Sequence, residues 1–502
     1  MIIVYFNRPD YEYDVHSLVK AFFPKEDVEL YYTCPESEVA GRNVACMHRS
    51  ADELDRALAE SAGSVLGITY KERSVVLDWR GMQCRDAEFS VDYADRGAAK
   101  NAIKQNLYRM LSELSGRVLP WGALTGIRPV KLVMKLLEEG AGEERTAAYM
   151  RKTYFATEEK IRLAIDIAQR ERRLLSRLDY ANGYSLYIGI PFCPSTCLYC
   201  SFTSYPLAAW RGRVDAYLDA LEREIDFAAE RLKDRKLNTV YIGGGTPTTL
   251  EPYQMDRLLT KIGKCFDLTD CLEFTVEAGR PDSITREKLQ VLREHGISRI
   301  SINPQTMKQE TLDLIGRHHT VEQTVRSFRL ARELGFDNIN MDLIIGLPDE
   351  ELTDVRHTME ALRELAPDNI TVHSLAIKRA ARLNIYKDRY EQMQMVNTQK
   401  HMELCADYCR SMDLFPYYLY RQKGMAGNME NVGYAKEGKA GLYNILIMEE
   451  VQTIVALGAG SITKRVYPDG TIRRCENVKD VAQYIARIGE MIERKRVLLE
   501  DF

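Results

Sequence analysis

The 502-residue chain carries 69 Lys and Arg against 73 Asp and Glu, a formal net charge of −4, with 45% apolar and 28% charged residues. This is the composition of a globular chain large enough to bury a core without disulfide staples. It gives no reason to expect a general nucleic-acid binder, and no apolar run approaches the ~18 residues of a membrane span. The opening MIIVYFNRPD has neither a basic leader nor a small-residue cleavage site, so no secretory signal is expected and a cytoplasmic location is the default. Eleven cysteines, an odd number, do not form a disulfide framework in a reducing compartment. Three of them fall within eight residues, and the other eight are scattered.

Three zones are expected: 1–180, 181–380 and 381–502. The first opens with an apolar strand, MIIVYF, and continues to a hairpin over Ser64–Trp79 and a helix over Ala99–Leu114. A breaker-rich loop covers Leu119–Pro129, a charged helix Thr157–Leu178, and ANGYS (Ala181–Ser185) reads as a boundary. This zone reads as α+β, with no role legible in its residues.

The second zone alternates short apolar runs with amphipathic helices. The runs are 185–192, 238–245, 271–279, 299–305, 338–348 and 369–377, with helices such as 213–233 and 321–335 between them. Buried strands alternating with helices indicate parallel βαβ units. Six such units fit an open doubly wound sheet or a barrel. Glycines and polar residues gather after the strands, where a (β/α) barrel keeps its active site. The third zone is expected to be mostly helical, with a Tyr-rich loop at Pro416–Tyr420 and a Gly-rich turn at Leu457–Ser461.

The first strand of the second zone runs into PFCPSTCLYC, placing Cys193, Cys197 and Cys200 in C-x3-C-x2-C spacing. Three thiolates on one loop can hold three irons of a cubane cluster and leave the fourth open to a small molecule. A structural zinc site usually takes four ligands in two separated pairs, and no matching pair follows. Cys405 and Cys409, four apart in a helical stretch, and Cys265 and Cys271, around a turn, read as ordinary thiols.

With this loop after the first strand, the chain resembles the radical S-adenosylmethionine (SAM) superfamily. SLYIGIPFC, YIGGGTPT, INMDLIIGLP and VALGAGS together resemble the oxygen-independent coproporphyrinogen III oxidase family over residues 184–465, and the long front zone resembles its HemZ-type branch, called coproporphyrinogen dehydrogenase. The resemblance implies a partial (β/α)6 TIM-like barrel, a 4Fe-4S cluster on the three cysteines, and SAM as cofactor. It carries cofactor contacts onto Tyr187, Tyr199, Gly244, Gly245, Thr246, Glu277, Gln305, Arg317, Asp342, Ala376 and Ile462. The residues themselves suit those roles. Glycines let backbone approach a ligand, a carboxylate at a strand end can accept from ribose hydroxyls, and an Arg fork suits a carboxylate. Asp342, flanked by apolar residues, is expected to point inward and be hydrogen-bonded, whereas His318 and His319 read as surface residues at a helix end.

The implied reaction is removal of a β-hydrogen from substrate propionates by a 5′-deoxyadenosyl radical. Loss of carbon dioxide and one electron then converts two propionates of coproporphyrinogen III to the vinyl groups of protoporphyrinogen IX. No protein acid–base pair is required. The implied partners are a propionate-bearing tetrapyrrole and an unidentified low-potential electron donor. Lys378, Arg379, Arg421 and Lys423, near Tyr417, Tyr418 and Tyr420, are candidates for the propionates. Two departures bear on specificity: Phe202 stands where oxidases of the family often carry a fourth cysteine, and Gly189 where they have a His. Haem-transfer proteins and tetrapyrrole methylases on the same fold are the alternatives. The first usually carry a His-containing HNxxYW-like segment, and Gly427–Ala435 has no His.

Overall fold

The computed structural model describes residues 1–33, 46–48, 63–202, 204–378, 381–385, 393–422 and 429–502. The chain forms two compact units, Met1–Ile165 and Asp166–Phe502. The division falls inside the helix Glu158–Leu175, earlier than the expected boundary at 180. ANGYS is not a linker, because Gly183 already opens the first strand of the second unit.

The first unit is α+β. Strands β1 (Ile2–Phe6), β2 (Val28–Tyr32), β3 (Cys46–His48), β4 (Ser64–Tyr70), β5 (Ser74–Arg80) and β6 (Arg85–Ser90) form one sheet in the order β3-β2-β1-β4-β5-β6. β1 runs parallel to β2 and β4, and β4–β5 is the expected hairpin. Val4, Phe6, Leu66, Ile68 and Leu77 form one core with Val15 and Leu18 of the helix Glu12–Phe22 and Ile103, Leu107 and Leu111 of the helix Arg96–Ser115. Asp95 caps the latter, its carboxylate accepting from the amides of Gly97 and Ala98.

The second unit is built on β7 (Gly183–Ile190), a short pair β8 (Phe192–Cys193) and β9 (Tyr205–Pro206), then β10 (Lys236–Gly244), β11 (Glu273–Glu277), β12 (Arg299–Ser301), β13 (Ile339–Ile345) and β14 (Asn369–Ser374). β15 (Phe415–Tyr420), β16 (Asn431–Ala435), β17 (Thr453–Leu457), β18 (Ile462–Val466) and β19 (Ile472–Glu476) follow. Eleven strands pair in the order β15-β16-β14-β13-β12-β11-β10-β7-β17-β18-β19. The six expected strands are parallel and in sequence order, joined by helices such as Val214–Leu232, Pro252–Cys265 and Leu352–Leu365. β17 adds a seventh parallel strand beside β7. Among the described residues the sheet ends at β15 and β19 without closing, a partial TIM-like barrel.

The described residues of 381–502 are helical at Gln399–Ser411, Leu442–Glu449 and Ile488–Leu498, but they also supply five strands. They extend both edges of the barrel sheet rather than forming a separate body. Pro416–Tyr420, expected as a loop, lies in β15. That strand is the sheet edge, where proline's missing N–H breaks no ladder. The Gly-rich turn stands as expected, with Gly458 at φ 97° and Gly460 at φ 72°.

A fully buried ion pair ties this turn to the helices. Lys495 Nζ lies 2.7 Å from Glu224 Oε1, both side chains at 0% exposure. Glu224 also accepts from the Gly458 amide (2.8 Å), Tyr484 Oη (2.6 Å) and Asn477 Nδ2 (2.8 Å). Its lone pairs are thus filled, the condition for a buried charge to be tolerated. No helix of the described residues is long and apolar enough to cross a membrane.

Candidate functional site

The loop after β7 is positioned from two sides. The amides of Gly245 and Thr246 donate to the carbonyls of Ile190 (2.8 Å) and Phe192 (2.7 Å), tying the turn after β10 to the strand that carries Cys193. Thr246 Oγ1 lies 3.5 Å from Cys193 Sγ. Further along, the Leu198 amide donates to the Ile315 carbonyl (3.0 Å) and Ser195 Oγ to that of Gly316 (3.1 Å). The glycines are required here. Gly244 has φ 107°, and a Cβ on Gly245 would come 2.6 Å from the Phe192 carbonyl oxygen.

Cys193, Cys197 and Cys200 open onto a cavity of about 370 Å³. Nine of the eleven residues carried over line it with the three cysteines: Tyr199, Gly244, Gly245, Thr246, Glu277, Gln305, Arg317, Asp342 and Ala376. Tyr187 stacks with Tyr241 and Tyr443, and its hydroxyl would lie 3.2 Å from a Cβ on Gly244. Ile462 is not brought in. Beyond the Gly458 turn β18 runs antiparallel to β17, and Ile462 is 41% exposed opposite Glu476.

Burial raises the Cys193 thiol and pushes that of Cys200 to about 11. Ligand thiols must lose their protons, so metal uptake here releases protons. Among the described residues no three His, Cys, Asp or Glu side chains converge as on a single metal ion.

Glu277 accepts from Tyr241 Oη at 2.5 Å. Burial, with the nearby charge of Asp342, lifts its carboxyl to about 7 against the pull of Tyr241 and Arg299. Asp342 is inward and hydrogen-bonded, accepting from Asn340 Nδ2 at 2.7 Å with His373 Nε2 at 3.8 Å. Burial acts to raise it, yet His373, Asn340 and Arg299 together hold it below the ordinary carboxylate value. Gln305 adopts φ 69° and its buried Oε1 has no partner. Arg317 donates to Tyr199 Oη (3.1 Å) and to the carbonyls of Gly279 (3.0 Å) and Asn303 (2.7 Å), while its Nε has none.

The far wall is aromatic. Tyr418 and Tyr420 of β15 line it, stacked at 6.2 Å, and Tyr420 Oη is 3.4 Å from His373 Nδ1. Lys378 Nζ lies 5.8 Å from the ring of Phe202, which is 71% exposed. Tyr417 is fully buried and does not line the cavity. Arg421, expected toward the substrate, follows directly after β15, is 5% exposed, does not line the cavity and feels the charge of Glu430. Arg379 and Lys423 lie outside the described residues. His319, expected at the surface, is fully buried, and burial beside Arg317 drives its imidazole down to about 3. His318 is exposed. Sequence reasoning missed Tyr241, Arg280, Arg299, Asn303 and His373 in the cavity wall.

Residues 187–362 match the model of the radical SAM superfamily. The oxygen-independent coproporphyrinogen-III oxidase-like protein HemZ of Bacillus subtilis is 42% identical over 82% of this chain and 84% of its own. The chain belongs to that family. The haem chaperone HemW of B. subtilis is 32% identical over 61% of this chain and 76% of its own. In fold, coproporphyrinogen III oxidase (HemN) of Escherichia coli matches with a TM-score of 0.50 at 23% identity, covering 64% of this chain and 73% of that one. A 4Fe-4S cluster and SAM come with the family. The site fits them: three thiols open on one cavity, a glycine cradle admits backbone contact, and Gln305 and Arg317 present buried atoms still lacking partners.

Proposed function

We propose that the protein carries out oxygen-independent oxidative decarboxylation of coproporphyrinogen III to protoporphyrinogen IX in haem biosynthesis, in a reducing, oxygen-poor cytoplasm. The observation that carries this reading is one cavity joining the cysteine loop to the Tyr418–Tyr420–His373 wall, so that a cofactor and a second organic molecule can meet. When bound, the cluster and SAM supply radical chemistry able to take hydrogen from an unactivated carbon.

In this reading Cys193, Cys197 and Cys200 hold three irons. Gly244, Gly245 and Thr246 offer backbone to the methionine part of SAM, Arg317 and Gln305 bind its polar groups, and Tyr187 steadies the Gly244 turn from behind. Glu277 accepts from the ribose, with Asp342 beside it, and Tyr199 and Ala376 flank the adenine. Tyr418 and Tyr420 offer flat faces to a tetrapyrrole, and Lys378 a cation to a propionate. The buried walls exclude water from the reacting carbon.

The likeness to a haem chaperone supports a second reading, haem binding and transfer. An anaerobic incubation separates the two: protein with reconstituted cluster, reductant, SAM and coproporphyrinogen III. Protoporphyrinogen IX and carbon dioxide are expected. SAM cleavage without a vinyl product contradicts the first reading, and tight haem binding without cleavage favours the second.

A further inference from the structure

Beside the cysteine loop lies a cation that the proposed reaction does not use. Arg280, just after β11, is 3% exposed. Its Nη1 lies 3.5 Å from Cys197 Sγ, and both terminal nitrogens lie 3.2 Å from Ser195 Oγ. The other side of the fork binds Asp282, with Nε 2.9 Å from Oδ1 and Nη2 2.7 Å from Oδ2. The side chain of Asp282 is 18% exposed, so this pair is only weakly screened.

The neighbouring charges make Arg280 distinctive. The charge of Arg317 also reaches Cys200, but its hydrogen bonds go to a tyrosine hydroxyl and two carbonyls rather than to a sulfur. His319, held down to about 3, is neutral at physiological pH. Arg280 is therefore a buried cation within hydrogen-bonding range of one of the three cysteine sulfurs, with a carboxylate behind it. Hydrogen bonds and charges at cluster sulfurs set reduction potentials. One-electron reduction makes the cluster more negative, so a cation at this distance favours the reduced form, and a carboxylate behind it opposes that effect.

We propose that the Arg280–Asp282 pair sets the reduction potential of the 4Fe-4S cluster, Arg280 raising it through Cys197 and Asp282 tempering the rise. Arg280 is a positioning residue in this role, acting through a cysteine rather than on substrate. The inference rests on the three-cysteine assignment and not on the identity of the substrate.

The test is an EPR-monitored redox titration of the full-length protein with reconstituted cluster, using dithionite as the one-electron donor, after iron and sulfide have been counted. Arg280→Gln is expected to move the midpoint to more negative potential, and Asp282→Asn to more positive potential. Arg280→Lys, which keeps the charge, should stay closer to the wild type than Arg280→Gln. A role limited to fastening the loop predicts lost iron without opposed shifts. Unchanged midpoints, or shifts of the same sign in Arg280→Gln and Asp282→Asn, overturn the inference. If Arg280→Gln retains no cluster, Asp282→Asn decides alone: an unchanged or more negative midpoint overturns it. A wild-type protein that takes up no cluster overturns the cysteine assignment and this inference with it, whereas a wild-type cluster whose variants do not shift overturns this inference only.

Discussion

The two walls of the cavity are built differently. The wall around the cysteines is fixed by backbone: glycines at close approach, amides of Gly245 and Thr246 on the strand carbonyls, and an arginine fork on carbonyls of two neighbouring segments. The opposite wall is fixed by side chains, with stacked tyrosines from β15, an imidazole between Asp342 and Tyr420, and a lysine at the rim. A wall of backbone holds one ligand geometry. A wall of side chains can be rewritten by substitution, so substrate choice is expected to reside there while cofactor chemistry resides in the first.

Five variants break or sharpen that comparison, from the largest expected effect down. Cys193→Ala strikes the backbone-fixed wall at its metal and should abolish cluster uptake and SAM cleavage together, read as iron content and 5′-deoxyadenosine. Normal iron content would refute the ligand assignment. Lys495→Met leaves Glu224 buried without its counter-charge and should cost about 3–5 kcal/mol in chemical denaturation. It loosens the Gly458 turn, whose Cβ position lies 2.5 Å from the Gly189 carbonyl of β7.

Glu277→Gln probes the cofactor wall through pH. The folded Glu277 titrates near 7, above its ordinary 4.5, so the folded protein holds a proton that the unfolded chain has released. That contribution is fully present below the unfolded value and is lost as pH rises through about 7. The variant should lose less stability than the wild type between pH 5 and pH 8. The difference is at most about 3 kcal/mol, reduced by water reaching the cavity. Parallel pH curves would contradict the assignment.

His373→Gln tests the side-chain wall. Product formation from the tetrapyrrole should fall about tenfold, the worth of roughly one hydrogen bond, with iron content unchanged. Equal losses of iron and product would make His373 part of the cofactor wall. Lys378→Gln should be the mildest, raising KM for the tetrapyrrole by about threefold, as befits an exposed charge. No change in KM would remove Lys378 from substrate contact.

The same contrast explains what was legible in the sequence. The backbone-fixed wall is local: glycine runs, cysteine spacing and polar strand ends sit together in the chain, so they could be read directly. Period-two alternation would also have found Arg299, Ser301 and Asn303, which share the cavity wall with Gln305, and His373, which shares it with Thr371. The side-chain wall depends on pairing between distant segments. β16 bonds β14, and β15 pairs in turn with β16. Pro416 argued for a loop because nothing local reveals an edge strand. Ile462 was misplaced because a strand reverses after a turn, and Arg421 because nothing local shows that it is buried directly after β15. The burial of His319 follows from tertiary packing that its helix-end position does not disclose.

The central claim is that the two walls bring SAM and a propionate side chain together for hydrogen transfer. The most direct measurement is mass analysis of 5′-deoxyadenosine formed from coproporphyrinogen III deuterated at the β-carbons of its propionates. Deuterium in the 5′-deoxyadenosine, matched by vinyl product, is the predicted result. Unlabelled 5′-deoxyadenosine with intact propionates would contradict it.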